Sequence, residues 1–410
     1  MNPLHGLKSE ATMQTKQITL VTAHGRQTFS VQEGERVLDA LVRCQIPWSA
    51  VSLYVRRPGK PYLSPFVGLH CTAEELAGEP GELLAFYQRN VDPFLTRLGD
   101  LLLSESAGGA PAAEFIYSDP RQAKRMPVLK QLSTDECKAT VANCVRKVLI
   151  DHVRPGAKIV VGVSGGGDSN SLLHAFSVFN DFQIEIYPLI LTGLPEWDEG
   201  SDRALQLCKQ YGYELTIVSE HTFRQEHGYT KSKQNYFDYF QKHCPGEDFE
   251  FFAINLIDKA LVTRAREVGA EFICKGSNLD DLLCDALYFL ANGTKHRQLP
   301  VHPLHGMKSI SPLWMVPKRI IDGCFPKLSL TNYQERYPSF APGRTLYYQM
   351  TYHIMSYFPQ MAENMLRGSA ALGDMLGGLD TEIDEETGME IMSTTSLPLR
   401  RKMQKLLREM

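Results

Sequence analysis

The apolar run Ile159-Val-Val-Gly-Val163 passes straight into Ser164-Gly-Gly-Gly-Asp-Ser169, and the chain resumes with the helical spacing of Leu172-Leu-His-Ala-Phe176. A buried strand, a glycine turn and a helix in immediate succession leave few folds open. Glycines without Cβ let backbone amides approach an anion, and the positive end of the helix dipole faces the same point. The two serine hydroxyls and one carboxylate add phosphate or Mg²⁺ contacts. The pattern is neither G-x-x-x-x-G-K-S/T nor G-x-G-x-x-G. The bland alternative is a glycine-rich turn without a ligand, a costly choice because each glycine loses extra backbone entropy on folding. The loop predicts a site for the phosphates of ATP.

The surrounding pattern sets the fold class. Val141, Val145, Leu149 and Ile150 mark one face of a helix that starts at Thr134-Asp-Glu-Cys137 and ends near Val153. Strand and helix then alternate: strand Ile159–Val163, helix Ser169–Phe179, strand Ile184–Thr192, helix Glu199–Tyr211, strand Glu214–Val218, helix Phe251–Val268, strand Glu271–Lys275. Such alternation predicts an α/β fold with a doubly wound parallel sheet, in which ligands collect at the carboxyl ends of strands. Before it, Gln17–Val21, Gln27–Val31, a helix over Glu33–Val42 and Val51–Val55 resemble a β-grasp, ubiquitin-like module. The expected organisation is a β-grasp-like domain over 1–100, a linker over 101–132 rich in Gly, Ala and Pro, a catalytic domain over 133–360, and a tail over 361–410. That tail has an acidic stretch and a basic helix.

Composition excludes several classes. With 43% hydrophobic residues in 410, the chain buries a large core. No segment has the roughly 18 uninterrupted apolar residues of a membrane span. Met1-Asn-Pro-Leu-His-Gly6 lacks the basic flank and apolar stretch of a secretory signal, so the expected location is the cytoplasm. Nine cysteines without close-pair spacing fit a reducing compartment, and a net charge of −4 argues against a strongly basic nucleic-acid binder.

A second constellation follows the strand Glu271–Lys275: Gly276-Ser-Asn-Leu-Asp-Asp281, leading into Leu282-Leu-Cys-Asp-Ala-Leu-Tyr-Phe-Leu290. Adjacent carboxylates opening a helix either cap it or hold Mg²⁺ on a nucleotide. Together with the S-G-G-x-D-S loop and Ser311-Pro-Leu313, this order resembles the PP-loop ATPases, and within them the tRNA 2-thiocytidine synthetases and, more loosely, the tRNA(Ile)-lysidine synthetases. The resemblance runs from Glu136 to Tyr357. It implies an ATP pyrophosphatase that uses ATP and Mg²⁺. By it, Ser164, Gly165, Gly166, Gly167, Asp168 and Ser169 hold the nucleotide, Gly276 borders it, and Leu191 and Thr192 face adenine. Asp168 and Asp281 hold metal, and Asp168, Ser169 and Asp281 form the catalytic set.

The departures carry equal weight. Gly167 stands where thiolating relatives commonly carry lysine, Ser311 where arginine usually precedes Pro-Leu, and Ser277 and Asn278 where two histidines are usual. The regions around Ala253-Ile-Asn-Leu256 and Asn332-Tyr-Gln-Glu335 lack the C-x-x-C pairs that hold an iron–sulfur cluster in the 2-thiocytidine branch, so no such cluster is expected. Cys274 and Cys284 are read either as buried structural thiols or as persulfide carriers. Arg264, Arg266, Lys275, Lys295, His296, Arg297, Lys308, Lys318 and Arg319, with Trp314, Tyr333 and Tyr337 nearby, read as an RNA-contacting patch or as a solvated face over core aromatics. The expected chemistry is activation of a carbonyl or carboxyl oxygen by adenylation, then displacement of AMP by a nucleophile. A tRNA base is the leading substrate. A small-molecule ligase and a non-catalytic nucleotide-binding protein are the alternatives, and the N-terminal domain is expected to dock RNA or a protein partner.

Overall fold

The computed structural model describes residues 16–22, 25–44, 51–60, 63–66, 68–78, 80–87, 112–117, 128–179, 182–194, 198, 200–232, 234–244, 249–325, 347–348, 350–351, 361–385, 388–392 and 397–409. The N-terminal part comprises β1 (Gln17–Thr22), β2 (Gly25–Ser30), α1 (Val37–Arg43), β3 (Val51–Arg56), β4 (Leu63–Pro65), α2 (Ala73–Ala77) and β5 (Glu82–Tyr87). Its sheet has the order β2-β1-β5-β3-β4, with β1 and β5 parallel at the centre and the other pairs antiparallel. Alternate apolar residues Ile18, Leu20, Leu53, Val55, Leu83 and Ala85 close a core against Val37, Ala40 and Leu41 of α1. The helix starts four residues later than its spacing predicts because Gly34 turns the chain at φ +70°, a conformation glycine adopts without strain.

Next come β6 (Ala113–Tyr117) and β7 (Val128–Leu132), an antiparallel pair within the stretch expected to be linker. Its breaker-rich composition hid the short β-prone run Glu114-Phe-Ile-Tyr117. Ala113 and Leu132 join the core of the following domain, so this hairpin is packed on that domain.

That domain contains α3 (Thr134–His152), β8 (Lys158–Gly162), α4 (Gly167–Val178), β9 (Glu185–Leu191), α5 (Ser201–Gln210), β10 (Thr216–Val218), α6 (Glu220–His227), α7 (Tyr236–His243), α8 (Phe249–Val268), β11 (Phe272–Cys274), α9 (Leu279–Ala291), β12 (Val301–Leu304), β13 (Met307–Ile310), α10 (Lys318–Cys324), α11 (Met361–Leu376), β14 (Thr381–Ile383), β15 (Glu390–Met392) and α12 (Leu397–Glu409). The six-stranded sheet runs β10-β9-β8-β11-β13-β12, parallel throughout except for the edge strand β12. It is doubly wound. Ile159 and Val161 enter one core with α3, α4 and α10, whereas Val160 between them enters the other with α8. Strands covered on both faces have no polar side, which is why they read as apolar runs, and each such side chain contributes about 1.5–3 kcal/mol.

The C-terminal stretch expected to be a tail is packed in part. Leu366 and Ala370 of α11 meet Leu282, Leu283 and Leu287 of α9, and Leu406 and Leu407 of α12 are buried with Tyr239 and Phe240 of α7. Within the acidic stretch, Asp380 pairs with Lys295 at 2.8 Å, and Asp384 is buried and accepts from Gln404 Nε2 at 2.6 Å. No described helix is long and apolar enough to cross a membrane.

Candidate functional site

β8, β11 and β13 are parallel neighbours, so the connections after them meet along one edge of the sheet. After β8, the loop turns at Gly165 with φ +77°, and a Cβ there would strike the Gly200 carbonyl at the start of α5. α4 starts at once, with Gly166 as N-cap in an extended conformation and no side-chain cap. Its first amides therefore have no side-chain acceptor at the cap, the arrangement by which a helix start receives an anion. The two serines brace the loop: Ser169 Oγ accepts from the Ser164 amide at 3.0 Å and lies 3.1 Å from Ser164 Oγ.

Asp168 occupies the first turn of α4 and links all three connections. Its Oδ1 accepts from Asn278 Nδ2 at 2.9 Å, and its Oδ2 forms an ion pair with Lys318 Nζ. Gly276 passes close behind, where a Cβ would lie 3.3 Å from Asp168 Cβ. Arg203 of α5 donates to the Gly165 carbonyl at 3.2 Å.

The connection after β11 is built differently. Asn278 caps α9, its Oδ1 accepting from the amides of Asp280 at 2.9 Å and Asp281 at 3.2 Å, while Asp281 Oδ2 accepts from the Asn278 amide at 3.1 Å. Asp281 also accepts from Tyr348. Asp280 is buried and accepts from the Lys318 amide at 3.2 Å. The two carboxylates thus do different structural work: Asp281 closes a capping box and Asp280 fixes the start of α10.

The remaining sequence-predicted residues fall into place around this edge. Leu191 ends β9 with its side chain in the core beside Val160, and the Thr192 amide bonds to the Val218 carbonyl at 2.9 Å. Ser311 is buried, its amide on the Pro300 carbonyl at 2.9 Å, and Leu313 is core. Among the expected basic patch, Lys275 pairs with Asp258 at 2.7 Å, Arg264 with Glu267 at 2.9 Å and Arg297 with Asp285 at 3.8 Å; Lys308 is exposed. Lys318 contradicts the reading as a solvated or RNA-facing cation, because it is buried against Asp168. Tyr333 and Tyr337 lie outside the described residues, as does Asn332–Glu335. Lys318 was missed as a site residue because its partner is 150 positions away.

No three His, Cys, Asp or Glu side chains converge as a metal cage among the described residues. Asp168, a single carboxylate beside a phosphate-type loop, fits Mg²⁺ carried chiefly on nucleotide phosphates, which takes one or two protein carboxylates. All nine cysteines are free thiols. Burial pushes Cys137 and Cys324 up to about 12 and Cys208 to about 11, and raises Cys274 as well. Ala253 and Leu256 are core residues of α8.

No protein-family model matches the chain. It is 26% identical over 158 residues to the tRNA-cytidine(32) 2-sulfurtransferases of Citrifermentans bemidjiense and of a Geobacter species, an overlap of 37% of this chain and 56% of each relative. The chain therefore spans about half the length of the curated relatives it matches. These relatives belong to the tRNA-thiolating branch of the PP-loop ATPases that the Ser164–Ser169 loop resembles. Among solved structures, the chain is similar to the U34-tRNA thiolase NcsA from Methanococcus maripaludis with its 4Fe–4S cluster (TM-score 0.48, 21% identity, 60% of this chain and 82% of that one). It is also similar to the NH3-dependent NAD synthetase from Campylobacter jejuni (TM-score 0.34, 14% identity, 62% and 100%).

Proposed function

We propose that this chain is an AMP-forming, ATP-dependent enzyme that adenylates a base carbonyl of tRNA so that a sulfur nucleophile can displace AMP. The observation that carries the proposal is the uncapped start of α4, where Asp168 is held by the next two carboxyl-end connections. Similarity to tRNA-cytidine(32) 2-sulfurtransferases supports tRNA as the substrate class.

In this reading the amides of Gly165–Gly167 receive the pyrophosphate end of ATP, Asp168 would hold Mg²⁺ on it, and Ser164 and Ser169, bonded to each other, keep the loop shape. Leu191 and Thr192 close the adenine side, and Gly276 lets the second connection pass near the nucleotide. The base oxygen attacks the α-phosphorus; the bond from that phosphorus to the bridging oxygen breaks, and pyrophosphate leaves with the electron pair. The nucleophile then attacks the activated carbon and AMP departs with the oxygen. Both leaving groups are competent, so charge stabilisation supplies most of the acceleration.

We read the sulfur as supplied from outside the protein and the reaction as cluster-free. Cys274 lies in the sheet interior with its thiol pushed up by burial, and Cys284 is buried in α9, a poor setting for a thiolate carrier. Iron analysis of anaerobically reconstituted protein tests this: stoichiometric iron–sulfur incorporation would overturn the cluster-free reading. We read the N-terminal sheet as a β-grasp module that docks RNA or a partner; its strand order and the packing of α1 against it support this. The function itself is tested by adding total tRNA to protein and ATP. AMP formation that depends on tRNA is expected. AMP formation driven instead by small carboxylic or amide metabolites would replace this reading with the small-molecule ligase. Asp168→Ala is expected to lower turnover by about 10²–10³-fold with an unchanged circular dichroism spectrum.

A further inference from the structure

The loop Ser164–Ser169 contains no lysine or arginine, yet a polyphosphate desolvated against a helix start calls for a cation. Arg203, from α5, donates its Nε to the Gly165 carbonyl and so braces the loop from behind. Lys318 is placed otherwise. Its side chain is 7% exposed, and its Nζ reaches the first turn of α4 to pair with Asp168, which is 25% exposed. Asp322, 2% exposed and 3.9 Å from Nζ, lies one helical turn further along α10. The Asp280 carboxylate holds the Lys318 backbone amide, so the α9 cap sets where this lysine begins.

We propose that Lys318 is the phosphate-contacting cation of the nucleotide site, delivered from α10 in place of a lysine on the loop. This rests on the nucleotide-binding reading given above. Asp168 pairs with Nζ in the structure. When the polyphosphate arrives, its oxygens take the position on Nζ that Asp168 leaves, and Asp322 keeps the ammonium at the loop. A buried lysine paired only for structure would neutralise two carboxylates and do nothing more. The two roles differ in which ligands they affect.

The test measures binding of ATP, inorganic pyrophosphate and adenosine to the full chain by calorimetry. For Lys318→Gln, the expected result is a loss of about 10–100-fold in affinity for ATP and pyrophosphate, with adenosine affinity within about two-fold of the unmodified protein. Lys318→Arg is expected to keep most of the pyrophosphate affinity, and Lys308→Gln, at an exposed lysine, to change nothing. Should Lys318→Gln fail to fold, Lys318→Met combined with Asp322→Asn removes the cation together with a charge behind it, and the same loss is expected. Unchanged affinity for ATP and pyrophosphate in a folded variant overturns the proposal while leaving the nucleotide site intact. Equal losses for adenosine and ATP assign Lys318 a purely structural role. An unmodified protein that binds neither ATP nor pyrophosphate removes both the proposal and the reading beneath it.

Discussion

The connections after β8 and after β11 look alike in sequence: each has glycine, small polar residues and aspartate where a helix begins. In the structure the second is closed by its own side chains, Asn278 bonding to two amides and Asp281 returning the bond. The first has an N-cap, Gly166, with no side-chain bond at all. A helix start capped by its own residues is satisfied and structural, whereas one capped by glycine offers its amides to an incoming anion. Asp281 serves the α9 capping box, and the function proposed above puts the chemistry at Asp168.

The sharpest way to break that contrast is to give α4 a cap. Gly166 has φ −87° and ψ −179°, a conformation any residue adopts, so Gly166→Asp puts a carboxylate where the phosphate is expected. Pyrophosphate affinity should fall by about ten-fold or more, the scale of one charge-assisted contact reversed. Thermal stability in the absence of ligand should hold or rise, since a cap has been added. Retained pyrophosphate binding would mean that these amides do not receive the anion.

Gly165→Ala probes the turn. The positive φ and the Gly200 carbonyl together should cost about 2 kcal/mol or more in urea unfolding, whereas Gly276→Ala, with no positive φ and its nearest neighbour at 3.3 Å, should cost clearly less. Equal costs would contradict the tight packing of the first loop on α5. On the other side of the comparison, Asn278→Ala removes a cap and should lower stability by about 1 kcal/mol, with a smaller effect on nucleotide affinity than Gly166→Asp. The reverse ranking in calorimetry would make the second connection the ligand site.

Acid stability supplies a separate test, away from both loops. His227 packs against Phe223 at 4.4 Å between ring centroids, and burial lowers its imidazole from 6.5 to about 4. Between those values only the unfolded chain takes up the proton, so this group's stability is present above pH 6.5 and is lost as pH falls toward about 4. His227→Phe should flatten that part of the urea-midpoint profile; an unchanged slope would show that His227 does not titrate differently in the folded state.

Much of the sheet was legible because β8, β9 and β11 are buried on both faces and read as apolar runs. β12 was not, since Pro303 argues against a strand; it is tolerated because β12 is an edge. The turn His305-Gly306, both at positive φ, marks the hairpin it forms with β13. Helices α6 and α7 are too short to show a clear apolar period, although Ser219, Asn235 and the left-handed Gly228 carry ordinary cap signals. At the site, the loop is local and its glycines declare it. The capping box Asn278-Leu-Asp-Asp281 was equally visible, and its reading shifted toward metal only because of the loop beside it. Lys318 has no local signal, since a basic residue among basic residues reveals a partner 150 positions away only through the sheet order that joins β8 to β13 by way of β11.

In the proposed function the Ser164–Ser169 loop holds ATP for cleavage between its α and β phosphates. Incubating the protein with α-labelled ATP and tRNA and separating the products tests it directly. Labelled AMP with equimolar pyrophosphate is expected, and neither with Asp168→Ala. Labelled ADP with inorganic phosphate, or AMP formation that survives Asp168→Ala unchanged, would contradict it.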